Sequence, residues 1–311
     1  FFMKPVSIDH YLGKEMVVSL VDSPELLTYL GVFDRFSNIT KHNSKLTIPN
    51  PKDLENDISQ TEDRLAILKS YKTGSLSDEQ KITKKIAIFD TENNLKELKE
   101  FPYHNYPLNQ VRGAHQNVIS FMSDQHPVRN LYEARGYVER TDLVKEVFKG
   151  QLDWLERQAA QEIYAPDCVY AHLIEQLNEF ISYSFEEHPL YTEFIKKIDL
   201  LKISGNDYAE LDTNLKNSIE NSVTPGFVLL RDFMVATKHK ANPNHGIWSQ
   251  PNGDEYYKLM IRSYTTTDYS PEKIHNIGLS EVARISTRMK EILNSLGYDP
   301  KKSAGILMNE L

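Results

Sequence analysis

The chain has 311 residues, of which 40% are hydrophobic and 26% are charged, with a formal net charge of −8. This composition predicts a folded protein with a sizeable core rather than a disordered chain. Acidic and basic residues are interleaved, so no nucleic-acid-binding surface is indicated. The single cysteine, Cys168, excludes an internal disulfide and a site with several thiolate ligands, and we expect it to pack as a small hydrophobic residue.

The sequence contains no run of eighteen apolar residues, so no transmembrane segment is predicted. No signal-peptide pattern is present at the amino end, and the start at Phe1-Phe2-Met3-Lys4 suggests a processed or trimmed terminus.

Helix signals recur along the chain. Ser23-Pro24 is a typical start, 52–71 has helical apolar spacing, and Ser77 to Gln80 matches a capping box. The aromatic, proline-bearing run from Phe101 to Leu108 is interpreted as an ordered loop on the core. We predict that Asn109-Gln110 opens the next helix. Further helices are predicted over 111–122, 128–140, 143–159, from 167, 190–201, 208–221 and 227–237.

The sequence shows no runs with strand periodicity, no internal repeat of fixed period and no low-complexity linker. The predicted fold is therefore all-α, a bundle-like array of many helices. We expect residues 1–311 to form one helical domain, with a sub-boundary near 238–251, where the sequence is polar and rich in Asn, Pro and Gly.

The segment from Gly246 to Tyr298 is the most informative. A helix is predicted over 254–264, and the β-branched triplet Thr265–Thr267 is expected to end it. Ser270-Pro271-Glu272 predicts a new helix start. That helix carries an apolar stripe that we expect to pack against other helices: Leu279, Val282, Ile285, Met289, Ile292, Leu293 and Leu296.

The order of these parts resembles the bacterial domain-of-unknown-function family 885. The motifs are W-x-x-P-N-G-x-x-Y-Y, R-x-x-T-T-T and P-E-x-I-H-x-x-G-L-x-E-V-A-R-I, and they span Trp248 to Ile285. Shorter matches precede them, including Ser23-Pro24-Glu25 and His188-Pro189-Leu190-Tyr191, so the resemblance covers most of the chain.

The resemblance implies a longer protein. Family members are about twice this length, are often predicted lipoproteins, and carry a downstream H-E-x-P-G-H motif similar to the zinc helix of thimet-oligopeptidase-like metallopeptidases. No such motif, and no H-E-x-x-H, occurs in this sequence. The chain therefore resembles the helical amino-terminal half of such a protein. We predict no catalytic residue and no metal ligand here, and we expect zinc in the absent downstream half.

Five residues are candidates for substrate binding: Tyr256, Tyr257, Arg262, Thr266 and His275. Phenols donate hydrogen bonds and a guanidinium binds carboxylates in bidentate fashion, so Tyr256, Tyr257 and Arg262 suit a peptide. Structural alternatives are open for each. The tyrosines and Arg262 could serve core packing and an ion pair, the threonines could only end a helix, and His275 could tie its helix to a neighbour.

Two functions follow. In the first, the chain is the non-catalytic half of a zinc-metallopeptidase-like protein and forms a wall of a peptide-binding cleft. In the second, it is a helical binding or scaffolding module of the bacterial envelope without hydrolytic activity, because fold alone does not fix function. The expected partner is a peptide or oligopeptide, with no nucleic acid. The resemblance favours the cell envelope or periplasm, with a lipid anchor upstream. The residues do not decide against the cytoplasm, and they leave the oligomeric state open.

Overall fold

The computed structural model describes residues 7–36, 40–299 and 301–309. These residues form helices joined by turns and include no β-strand; the parallel pairing of Pro166 with Asn242 is an isolated bridge. The prediction of an all-α fold is confirmed. In the described part of the chain, no helix is both long and apolar enough to cross a membrane.

The helices fall into two compact units, one ending at Gly253 and the other beginning at Asp254. The helices before residue 165 are α1 Ile8–Asp22, α2 Pro24–Leu30, α3 Leu54–Ser70, α4 Asp78–Glu100, α5 Ala114–Ser120, α6 Leu131–Asp142 and α7 Val144–Ala160. Those after it are α8 Asp167–Ser182, α9 Pro189–Leu200, α10 Gly205–Ser218, α11 Thr224–Thr237, α12 Gly253–Thr265, α13 Pro271–Ser295 and α14 Ala304–Met308.

The predicted start signals act as expected. The backbone N–H of Leu26 donates to the Ser23 hydroxyl at the start of α2. At α4, the Gln80 N–H donates to Ser77 Oγ (3.2 Å), and the Ser77 N–H donates to Gln80 Oε1 (3.0 Å), which completes the capping box. The cap hydrogen bonds at both helix starts are therefore made between residues no more than three positions apart.

The main core of the first unit lies between α5 and α11, where aromatic rings pack in pairs. Tyr137 stacks on Phe194 with ring centroids 4.8 Å apart, and Phe148 meets the edge of Phe227 at 5.0 Å. A Cβ on Gly226 would lie 2.9 Å from the Phe148 ring, so α11 needs a glycine to approach α7 this closely. A smaller core of Ile8, Tyr11, Leu68 and Tyr71 joins α1, α3 and α4.

The loop from Phe101 to Leu108 lies on the core, as predicted: Phe101 and Leu108 are 3% and 2% exposed. The helix expected at Asn109 begins later, at Ala114. The Asn109 side-chain oxygen accepts the N–H groups of Val111 and Arg112, so this asparagine forms a turn ahead of the helix.

The second unit contains α12, α13 and α14, and it corrects one expectation. Most of the apolar stripe on α13 is exposed, with Leu279 at 57% and Val282 at 64%. Only the carboxyl-terminal part packs, where α13 contacts α14 and Leu293 and Leu307 are buried. Periodicity identifies residues that share a helix face, but it does not show whether another element covers that face.

The structure also corrects the expectation for Cys168. It was expected to pack as a small hydrophobic residue, but it is exposed in the first turn of α8. The buried face of that helix is formed by Val169, Tyr170, Leu173 and Leu177, and Cys168 lies outside that set.

Candidate functional site

The two predicted tyrosines lie next to each other on α12 but differ in environment. Tyr256 is buried, at 5% exposure, whereas Tyr257 is 45% exposed. Neighbouring helix positions point in different directions, so one adjacent pair does not present both rings to the same ligand surface. Only Tyr257 is open to solvent, and its contact with a substrate stays a prediction.

Arg262 and Thr266 lie together at the end of α12. The Arg262 guanidinium donates to Asp268 Oδ1 (3.0 Å), and the Thr266 N–H donates to the Arg262 carbonyl (2.9 Å). Thr266 has a φ of 53°, in the left-handed region, while the Thr265 hydroxyl donates back to the Ile261 carbonyl. These interactions end the helix, as the threonine triplet predicted.

His275 is exposed in the second turn of α13. In the described part of the chain, it forms no hydrogen bond or ion pair with the other four predicted residues. The structure thus brings Arg262 and Thr266 together and does not join His275 to them. A role in substrate binding stays a prediction for all five: Tyr256, Tyr257, Arg262, Thr266 and His275.

A pocket of about 250 Å³ lies in the first unit. Its walls come from three parts of the chain: the segment just before α3, the loop after α4, and one face of α7. The lining residues are aromatic, proline or amide side chains, namely Pro49, Pro102, Tyr103, Asn105, Pro107, Gln151, Trp154 and Gln158. They include no carboxylate, imidazole or thiol, and the lining of apolar rings with a few amides is of the kind found in ligand-binding pockets.

Hydrogen bonds from Gln158 hold the pocket's shape. This buried side chain of α7 donates to the Tyr103 carbonyl (2.8 Å) and to the Asn105 carbonyl, which fastens the loop to the helix. Trp154 and Tyr103 then meet with ring centroids 5.1 Å apart and planes inclined by 60°. Both rings are therefore fixed before any ligand arrives, which lowers the entropic cost of binding.

The segment before α3 forms its wall of the pocket because its backbone lies close to the backbone of α7. A Cβ at position 150 would lie 2.2 Å from the Pro49 carbonyl oxygen, so Gly150 on α7 allows the Pro49 segment to reach the pocket.

Arg157 lies one turn along from the pocket residue Trp154. The Tyr103 side chain and Asp153 raise the pKa of Arg157, which keeps a positive charge near the aromatic pair.

The segment that contains the P-N-G motif also contacts this loop. His104 Nε2 lies 2.7 Å from the Pro251 carbonyl, and Gln250 Nε2 donates to the Tyr106 hydroxyl. Asn252 has a φ of 53°, and a Cβ on Gly253 would lie 2.0 Å from the Ile247 carbonyl oxygen. The motif is thus a tight turn that holds the loop from 101 to 108 in place.

Sequence reasoning identified this loop but missed its partner Trp154. The available signal was the position of a tryptophan within a predicted amphipathic helix, three residues after Gln151. No local pattern shows that the loop and the helix meet, since Gln158 bonds to residues 55 and 53 positions earlier.

These features define an all-α protein with a rigid aromatic pocket. The chain belongs to the family described as "Bacterial protein of unknown function (DUF885)", whose profile matches residues 24–311. The predicted family resemblance is confirmed.

Among solved structures, the chain is similar to "The crystal structure of the putative lipoprotein from Colwellia psychrerythraea". The TM-score is 0.78 with 22% sequence identity, over 93% of this chain and 52% of that chain. At this identity the likeness shows a shared fold, and the chain spans about half the length of that protein. The search of curated proteins finds no match.

Proposed function

We propose that this chain is the non-catalytic helical half of a zinc-metallopeptidase-like protein of the bacterial envelope and forms one wall of a peptide-binding cleft. The observation that carries the binding role is the fixed Trp154–Tyr103 pair in a proline-walled pocket whose lining has no carboxylate, imidazole or thiol. Membership of DUF885 and the doubled length of the structural neighbour support the placement as one half.

The chemistry of the pocket favours a peptide. Aromatic faces and proline rings contact an apolar or proline side chain, and the Asn105 and Gln151 amides can both donate and accept hydrogen bonds, as a peptide backbone requires. The downstream half would supply two histidines and a glutamate to zinc, while a second glutamate activates water for attack on the carbonyl. This chain would bind and orient the peptide.

Trp154→Ala is expected to weaken peptide binding by about tenfold or more, because large aromatic side chains dominate such contacts. Trp154 and Trp248 are the two tryptophans of the chain, and Trp248 is 62% exposed outside the pocket. A Trp248→Phe background leaves Trp154 as the sole indole, so its fluorescence reports binding of proline- and aromatic-containing peptides directly.

The matched control is Trp248→Ala, which removes the other tryptophan and should leave peptide affinity unchanged. Equal affinities of the Trp154→Ala and Trp248→Ala chains, measured by calorimetry with both variants folded by circular dichroism, would remove the pocket from the binding site.

The second candidate, a binding or scaffolding module, is favoured by the same lack of carboxylate, imidazole and thiol groups in the pocket lining. Peptide hydrolysis and peptide binding by the longest natural product of the gene distinguish the peptidase from the binding module. Peptide hydrolysis that a chelator abolishes, and that the Cys168→Ala variant retains, supports the peptidase; peptide binding without hydrolysis supports the module.

Arg262→Ala in that longest product is expected to lower kcat/KM by about tenfold with little loss of stability. The guanidinium is 35% exposed and its partner Asp268 is 88% exposed, so this pair contributes at most about 1 kcal/mol. A substrate-facing guanidinium acts mainly on binding and orientation.

Lys258→Ala is the control, because Lys258 also forms an exposed ion pair on α12, with Glu255. It should change neither the melting temperature nor kcat/KM. If the fall in melting temperature of Arg262→Ala accounts for all its lost activity, Arg262 is a structural residue.

A further inference from the structure

Three side chains with different donor atoms meet at the start of α8. Asp167 and Cys168 occupy its first two positions, and His245 comes from the loop after α11, 78 residues later. One ligand atom from each lies within 4.8 Å of the others, and His245 Nε2 is 2.8 Å from Asp167 Oδ1. A carboxylate, a thiol and an imidazole therefore converge on one point of the surface.

Backbone hydrogen bonds hold the two segments together. The Asn242 N–H donates to the Ala165 carbonyl (3.0 Å), and the Asp167 N–H donates to the Asn242 carbonyl (2.9 Å). The Asn242 side chain accepts the Asn244 N–H and donates to the Ser249 hydroxyl. His245 is thus carried by a loop fixed on both sides, and its position beside Asp167 does not depend on the side-chain contact alone.

We propose that Asp167, Cys168 and His245 bind one zinc ion, with solvent in the remaining coordination position. Nitrogen, thiolate sulfur and carboxylate oxygen are the donor atoms that zinc takes in proteins. Calcium and magnesium prefer all-oxygen sites, so the thiol and imidazole select against them.

The geometry needs only small side-chain adjustments. Bonds of about 2.0 Å to N and O and 2.3 Å to S in a tetrahedron place ligand atoms about 3.3 to 3.5 Å apart. His245 Nε2 and Asp167 Oδ1 are 2.8 Å apart, and no two of the candidate ligand atoms are more than 4.8 Å apart. His245 and Asp167 are 57% and 55% exposed, so rotamer changes meet little packing resistance. The Cys168 thiol releases its proton to solvent as the sulfur bonds to zinc.

If Asp167 and His245 formed only a surface ion pair, Cys168 would take no part in it. The proposal is testable because it requires the Cys168 thiolate to bind the metal. Cys168 is the only cysteine in the chain, so any thiolate–metal signal comes from this site. The site is also independent of the proposed function, because it lies wholly within these 311 residues and needs no downstream motif.

In the experiment, Co²⁺, a spectroscopic substitute for zinc, is titrated into the full chain. A phosphine reductant that does not chelate the metal keeps Cys168 reduced. We expect one equivalent to give a thiolate-to-cobalt charge-transfer band in the near ultraviolet, and one equivalent of Zn²⁺ to displace it. Cys168→Ala should abolish the band. His245→Ala and Asp167→Asn should weaken Zn²⁺ binding about tenfold or more, as measured by calorimetry.

His10→Ala is the control, because His10 is an exposed histidine on α1 and does not belong to this cluster. It should retain the band and the Zn²⁺ affinity. Absence of a charge-transfer band in the wild-type chain, or an equal loss of affinity in His10→Ala and His245→Ala, overturns the proposal.

Discussion

Arg140→Met is expected to lower the free energy of unfolding by about 4 kcal/mol, because it removes a buried cation that holds two segments together. Arg140, on α6, is 0% exposed. Its guanidinium donates to the carbonyls of Lys45 (2.7 Å) and His42 (2.7 Å) and to the Thr28 hydroxyl (3.1 Å). Methionine fills much of the volume but leaves these acceptors without a donor.

The chemistry of the partners sets the sign of this effect. Replacing a whole buried ion pair by apolar residues can be neutral or stabilising, but here two partners are backbone carbonyls that no side-chain substitution removes. Burial lowers the pKa of Arg140 to about 10, so the side chain is still a cation at neutral pH. Its Nη1 also lies 2.9 Å from His126 Nδ1, and the pKa of that histidine is lowered well below its usual value by burial and by Arg140.

Arg135→Met on the same helix is the control. Arg135 is half-exposed and pairs with Asp207 and Glu210, both also solvent-exposed. Urea unfolding of both variants, at pH 7 and with equal m-values, measures the difference. An Arg140→Met protein no less stable than Arg135→Met would show that the hydrogen bonds of Arg140 contribute nothing net.

The fold was largely predictable because its signals are local. Ser23, Ser77 and Ser270 act as hydroxyl caps within three residues of the groups they bind, so no tertiary information is needed to find them. The turn at Asn109 shows the limit of this approach. Its side chain serves equally well in a turn before a helix or at the cap of one, and the choice is made by the surrounding chain.

The binding features could not be predicted, because each depends on contacts between distant segments. Gln158 fixes the loop at Tyr103, and Asn242 places His245 beside Asp167, yet no periodicity links these positions. Arg140 could not be identified as buried either, since its acceptors lie 95 to 112 residues earlier in the chain. An arginine in an amphipathic helix is otherwise expected at the surface.

His188→Asn is expected to reduce the loss of stability in acid by about 2 to 3 kcal/mol between pH 7 and pH 4.5. His188 is 1% exposed and caps α9, where its Nδ1 accepts the Leu190 N–H at 3.2 Å. Burial lowers the pKa of His188 to about 4 in the folded state, against about 6.5 in an unfolded chain. A protonated ring could not accept this bond, so folding requires the neutral form.

The sign of the pH dependence follows from proton binding. Between pH 6.5 and pH 4 the unfolded chain takes up a proton at His188 and the folded chain does not, so the stabilisation is complete above about pH 6.5 and is lost as the pH falls towards 4. At about 1.4 kcal/mol for each pH unit, the total from this one residue is about 3 kcal/mol. Asparagine keeps an acceptor for the Leu190 N–H but does not titrate.

The measurement is the urea-unfolding free energy of wild type, His188→Asn and His239→Asn at pH 7, 6, 5 and 4.5. His239 is exposed after α11, so its replacement should leave the acid-induced loss unchanged. His188→Asn loses ring packing and is expected to be less stable than wild type at pH 7, but its stability should fall less steeply below pH 6.5. Carboxylates titrate alike in all three proteins, so the difference in slope isolates position 188. Parallel pH profiles for wild type and His188→Asn would show that the cap of α9 does not contribute to the acid sensitivity of the protein.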